Sequence, residues 1–205
     1  MFKGSIPAVI TPFDKNRSID YDKLNNHIDF LIDQQSHGLV SCGTTGESPT
    51  LDHEEHKRIT EVIIKRSNKK VPIMAGCGSN STKESIELVK HAKSAGANAS
   101  LLVSPYYNKP SQEGIYHHYS EIAKASPLPI IVYNVPSRTG SSVDVSTFVR
   151  LTKDFGNIIG IKDASGDMLQ AQEIIKRCSS KIQLISGDDA LTLPMILAGA
   201  VGTIS

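Results

Sequence analysis

Eight short, nearly continuous apolar runs recur along the chain, at 6–10, 38–42, 71–76, 100–104, 129–134, 158–162, 183–186 and 201–205. A loop and an amphipathic stretch follow each of the first seven. Runs without polar alternation mark parallel strands buried on both faces. The stretches between them carry helix starts: Asp20 precedes Leu24, Ile28, Leu31 and Ile32, which fall on one helical face. Asp52 with Glu55, and Ser81 with Glu84, have the N-cap to N3 spacing that satisfies the first free N–H groups. Ser111, Asp144, Asp167 and Asp188 are placed to open later helices, and Pro72 and Pro129 stand at strand starts, where a missing donor does least harm. Strands alternating with helices specify a parallel sheet, either closed or doubly wound. No G-x-G-x-x-G or Walker string follows a strand, so nothing favours the nucleotide-binding open sheet, and a TIM (β/α)₈ barrel is expected.

No Ser/Gly-rich linker divides the chain, and residues 1–205 are read as one barrel domain. Such barrels typically need ~250 residues. The pattern stops at strand eight, so the expectation is a barrel truncated there, without its last helix or a C-terminal helical domain. Uncovering a few hundred Å² of apolar strand costs several kcal/mol at ~25 cal/mol per Å², so the chain is expected to be either a fragment of a longer gene or poorly stable and prone to associate. Lys plus Arg (22) balances Asp plus Glu (21), which gives no electrostatic reason to expect nucleic acid or an anionic membrane as partner. No apolar run approaches the ~20 residues of a membrane span, and the N-terminus lacks a signal-peptide pattern, so a cytoplasmic protein is expected. Cys42, Cys77 and Cys178 lack metal-ligand spacing and read as small, reduced hydrophobes.

Functional groups of a barrel gather where strands end and βα-loops begin. Those ends read Thr11, Gly43-Thr44-Thr45-Gly46-Glu47, Gly76, Pro105-Tyr106-Tyr107-Asn108, Tyr133-Asn134-Val135-Pro136, Lys162-Asp163 and Gly187. His53 and His56 sit one turn into a helix without a third ligand, so no metal site is expected. Lys162 ends the run Ile158-Ile159-Gly160-Ile161, so its stem passes through apolar surroundings. Such a lysine either snorkels to the rim, pairs with Asp163, or stays buried with a lowered pKa. At the ordinary value roughly one molecule in two thousand is neutral at pH 7, whereas a drop of ~3 units frees a quarter or more. A neutral amine can attack a ketone and form an imine. Tyr133 ends the neighbouring strand and can relay protons, or else be a core tyrosine with a satisfied hydroxyl. Thr44 and Thr45, in a glycine-bounded loop, offer hydroxyls and backbone N–H groups to a carboxylate, although the string also suits an ordinary turn. Arg138 can clamp a carboxylate or simply be solvated.

Taken together, Gly43-Thr44-Thr45-Gly46-Glu47, Pro105-Tyr106-Tyr107-Asn108-Lys109-Pro110, Tyr133-Asn134-Val135-Pro136 and Gly160-Ile161-Lys162-Asp163, in that order and at barrel spacing, closely resemble the dihydrodipicolinate synthase/N-acetylneuraminate lyase family. The resemblance covers essentially the whole chain. It implies a Schiff-base lysine at Lys162 and a proton-relaying tyrosine at Tyr133. A threonine at Thr45 or Thr44 and a tyrosine at Tyr107, reaching across a dimer interface, would assist. Gly187 and Ile204 match positions lining the pyruvate pocket. The Thr-Thr pair and Arg138 resemble the synthase branch, which condenses pyruvate with L-aspartate 4-semialdehyde on the path to lysine and diaminopimelate. No metal or organic cofactor is implied, since the cationic imine is the electron sink.

The same resemblance implies a homotetramer, built as a dimer of dimers, and allosteric feedback by L-lysine. Its effector site would comprise Ser48, His53, His56, Asn80, Glu84 and Tyr106, with Pro49 at a variable neighbouring position. Glu84 would face the ammonium, while Asn80 and Tyr106 would supply hydrogen bonds. Alternatively, Glu84 only caps its helix and the histidines are solvated. Two other functions stay open at this point, a sugar-acid lyase and a non-catalytic relative that binds lysine.

Overall fold

The computed structural model describes residues 2–178 and 180–205. Its strands are β1 (Gly4–Ile6), β2 (Leu39–Ser41), β3 (Ile73–Gly76), β4 (Ala99–Val103), β5 (Ile130–Asn134), β6 (Ile158–Asp163), β7 (Gln183–Ser186) and β8 (Gly202–Ile204). The helices are α1 (Tyr21–Asp33), α2 (His53–Ser67), α3 (Thr82–Ala95), α4 (Gln112–Ala125), α5 (Pro136–Thr139), α6 (Val145–Asp154), α7 (Met168–Arg177) and α8 (Thr192–Ala198). All strand pairs are parallel, in the order β1-β8-β7-β6-β5-β4-β3-β2. Residues just beyond β1 close the circle on β2: Val9 N donates to Val40 O (3.0 Å) and Val40 N to Pro7 O (2.9 Å). The architecture is the expected TIM barrel.

Both faces of the strands are buried, which explains the unbroken apolar runs. Phe2, Ile6, Val40, Met74, Leu101, Ile131, Tyr133, Ile185 and Ile204 fill the interior. Two outer clusters lie between barrel and helices, one around Tyr119, Phe148 and Ile161, the other around Leu24, Ile28, Ile59 and Ile63. Asp20, Asp52, Ser81, Ser111 and Asp167 all cap as expected, and Asp52 with Glu55 forms the reciprocal capping box.

Four expectations need correction. The first strand lies at Gly4–Ile6 rather than 6–10; Pro7 has no N–H to give β2, and only isolated bonds follow it, from Ala8 N to Ser205 O and from Val9 N to Val40 O. Asp188 does not open α8; its Oδ1 accepts from Ala190 N and Leu191 N in a turn, and the helix starts at Thr192. Asp144 occupies the N-cap of α6 without a side-chain cap bond. Glu84 does not complete a capping box, since its carboxylate is engaged by His53 and Ser79. Cys42 and Cys77 are buried free thiols, and Cys178 is half-buried. Among the described residues no helix is long and apolar enough to cross a membrane.

Candidate active site

The register pairs Tyr133 on β5 with Lys162 on β6, and Lys162 with Ile185 on β7. Alternation along β6 sends Lys162 inward while Ile161 packs in the outer cluster. Lys162 is 8% exposed, and its Nζ lies 4.3 Å from the centroid of the Tyr133 ring. It neither snorkels out nor pairs with Asp163, whose carboxylate is held by Asn134, Ser165 and Gln170. Burial lowers the Lys162 pKa to about 8; the Asp189 charge opposes this and the Arg138 charge adds to it. About a tenth of the amine is then neutral at pH 7, several hundredfold more than in free lysine. Burial also raises the Tyr133 pKa, while a hydrogen bond with Thr44 and the charge of Arg138 oppose it.

Gly187 leaves room for this lysine. A Cβ there would stand 2.6 Å from Lys162 Cε and 3.0 Å from Ala164 Cβ. The loop after β2 is held from below, with Thr11 Oγ1 donating to Gly46 O at 2.7 Å. Thr44 and Thr45 are thereby presented, solvent-exposed, on the rim. Arg138 sits near the end of α5, a single turn whose start is set by Pro136 and which closes at Gly140 (φ 72°).

These groups surround a cavity of about 490 Å³ at the barrel mouth, lined by Thr44, Thr45, Tyr133, Arg138, Lys162, Gly187 and Ile204 among others. Tyr107 is not among its lining. It is 89% exposed at φ 73° and turns instead to a second cavity of about 720 Å³, over α2 and α3. Ser48, His53, His56, Glu84 and Tyr106 line that cavity, whereas Asn80 does not. His53 Nε2 stands 2.9 Å from Glu84 Oε1, and the buried His56 Nδ1 has no hydrogen-bond partner. Burial lowers the His56 pKa to about 4, so the ring is neutral near pH 7.

Sequence reasoning missed Asp189 and Ser137, which also line the first cavity, and did not single out Ser205 beside them. Asp189 accepts from Ser205 Oγ at 3.0 Å and supplies the carboxylate charge nearest in effect to Lys162. Its one available signal was its position after β7, since strand-end residues face the mouth.

The profile of the dihydrodipicolinate synthetase family matches residues 1–205, the whole chain. The chain belongs to that family. A family member from Geotalea uraniireducens, named 4-hydroxy-tetrahydrodipicolinate synthase, is 52% identical over 205 residues, covering 100% of this chain and 70% of the relative. Among solved family members, the chloride-inhibited dihydrodipicolinate synthase from Acinetobacter baumannii complexed with pyruvate superposes with a TM-score of 0.97 at 47% identity. It too is matched over 100% of this chain and 70% of its own. The family member from Cyanidioschyzon merolae, solved with lysine bound, has a TM-score of 0.97 at 39% identity and the same coverage.

Proposed function

We propose that this chain is a lyase that condenses pyruvate with L-aspartate 4-semialdehyde to give 4-hydroxy-tetrahydrodipicolinate, an early step of lysine and diaminopimelate synthesis. The observation that carries this reading is a buried lysine amine with a pKa near 8, against a tyrosine ring, in a cavity with an arginine at its rim. The neutral amine adds to the pyruvate carbonyl, and loss of water gives a cationic imine that needs no further cofactor as electron sink. Tyr133, hydrogen-bonded to Thr44, passes protons during addition and dehydration. Loss of a methyl proton gives the enamine, whose carbon attacks the aldehyde. The aldehyde substrate's own amine then cyclises and releases Lys162. Thr45 and Gly187 support pyruvate binding, Ile204 lines the pocket, and Arg138 holds the second substrate's carboxylate. Incubation with pyruvate and borohydride, then peptide mass spectrometry, tests this: an adduct is expected on Lys162 and on no other lysine. An unmodified Lys162 in folded protein would sink the mechanism.

The second cavity favours a role as an effector site for L-lysine. Glu84 offers a carboxylate charge to an ammonium, its orientation shared with His53, and Ser48 and Tyr106 on the same wall offer hydrogen bonds. The extreme exposure of Tyr107 suits a homo-oligomer, in which a second copy would receive this ring. No binding of lysine at millimolar concentration in calorimetry would remove the effector reading.

A further inference from the structure

Directly behind Tyr133 and Lys162, one residue further along each strand, Asn134 and Asp163 are paired in register and face away from the cavity. They are 0% and 2% exposed. A carboxylate so deeply buried is costly unless every oxygen finds a donor. Here each does: Oδ1 accepts from Asn134 Nδ2 (3.0 Å) and Gln170 Nε2 (3.3 Å), and Oδ2 accepts from Ser165 Oγ (2.8 Å). Asn134 is equally committed, for its Oδ1 accepts from Val143 N at 3.0 Å. That last bond spans the excursion that carries Arg138, tying the chain after Gly140 back to the end of β5. The backbones repeat the connection, with Ala164 N donating to Asn134 O (2.9 Å) and Gly187 N to Asp163 O (2.8 Å).

We infer that Asn134 and Asp163 are positioning residues that fix, through one buried pair, the segments bearing Tyr133, Lys162, Gly187 and Arg138 relative to one another. Neither touches the cavity, so they act through the strands. A barrel could close around an apolar pair at this register, and the outer cluster beside it is apolar. What an apolar pair lacks is direction. The bonds of Asn134 and Asp163 have fixed angles, so a slip of β5 against β6 breaks them, whereas apolar contacts would slide. Displacements of about 1 Å cost about a hundredfold when reacting groups must meet at a defined geometry.

The inference rests on imine formation at Lys162, and the test separates the two. The rate of borohydride-trapped imine formation per folded molecule would be measured for the wild type, Asp163→Ala, Asn134→Ala, the double variant and Asp163→Asn. A wild type that traps no adduct overturns the imine reading and this inference with it. With the wild type trapping, each alanine variant is expected to be ten- to a hundredfold slower (~1 Å displacements). The double variant should be no slower than the worse single one, because both break one connection. Asp163→Asn keeps an acceptor for Asn134 and should recover to within about threefold of wild type. A general loss of stability would predict neither the non-additivity nor the recovery. Folded Asp163→Ala trapping at the wild-type rate, additive losses, or Asp163→Asn as slow as Asp163→Ala would each overturn the positioning role. If Asp163→Ala does not fold, Asn134→Ala decides: it breaks the pair from the other side and leaves the carboxylate held by Ser165 and Gln170, and an unchanged rate overturns the inference.

Discussion

The floor and the rim of the cavity are built on opposite terms. The floor consists of Lys162 and Tyr133, buried on paired strands and held by register, with the half-buried Gly187 beside them. The rim consists of Thr44, Thr45 and Arg138, exposed and carried on single turns shaped by Thr11, Pro136 and Gly140. The low dielectric of the floor prepares an amine to react, and the wet rim can discriminate among substrates without such a cost. Reactivity and selectivity are therefore separable here by substitution.

The largest effect is expected at the floor. Lys162→Met should abolish the pyruvate adduct and lower turnover by about four decades or more, while the barrel still folds. It should also stabilise the protein near pH 7. The folded pKa of about 8 lies below the ordinary 10.5, so the unfolded chain binds the proton more tightly. The penalty is full below pH 8, shrinks as pH rises through that window, and is gone above about 10.5. It amounts to about 3 kcal/mol. Denaturant melts of both proteins from pH 7 to 10.5 check this; a constant difference would mean that Lys162 is not desolvated. Trapping at saturating pyruvate should likewise quicken with pH up to about 8, as the neutral amine accumulates.

Gly187→Ala tests the same floor through space rather than charge. Its added carbon would meet Lys162 Cε, and adduct formation should slow about a hundredfold with little change in the unfolding midpoint. A rate within threefold of wild type would show that the lysine has room to move.

Arg138→Ala addresses the rim. It should cost about two decades in kcat/KM for aspartate semialdehyde, as expected for loss of a charge-assisted contact. Pyruvate trapping should change far less. Equal losses in both steps would erase the distinction between floor and rim.

The smallest effect is expected furthest out. Glu84→Gln should weaken binding of L-lysine about tenfold, since it removes the carboxylate proposed to meet the ammonium. Calorimetry on the two proteins measures it, and equal affinities would assign Glu84 to bracing α3 alone.

The floor was legible in the sequence because burial leaves a periodic trace. A lysine ending Ile158-Ile159-Gly160-Ile161 is visible without coordinates, and so is the tyrosine closing β5. The rim was legible only as strings, since the loop of Thr44 is held by Thr11, 35 positions from its partner Gly46, and Arg138 rides on a single turn too short to show a period. Asn134 and Asp163 stood out only as members of two strand-end strings, and Asp163 as a possible partner of Lys162, because a pairing 29 positions apart exists only once the register is set. The 3₁₀ turn Ser48–Thr50 and α5 are too short to show periodicity at all. The resemblance places Tyr107 in the site, yet within one chain it lies outside the cavity around Lys162.

Thr44, Ser48, Gly78, Val103, Val135 and Arg138 line both cavities, so the two spaces are separated by one thin partition of shared side chains. A guest that shifts this partition from one side alters the shape offered on the other. By thermodynamic linkage the traffic must be symmetrical: whatever factor lysine imposes on the affinity for pyruvate, pyruvate imposes on the affinity for lysine. Titrating lysine with and without pyruvate would read that factor directly, and a value of one would mean that the partition does not yield.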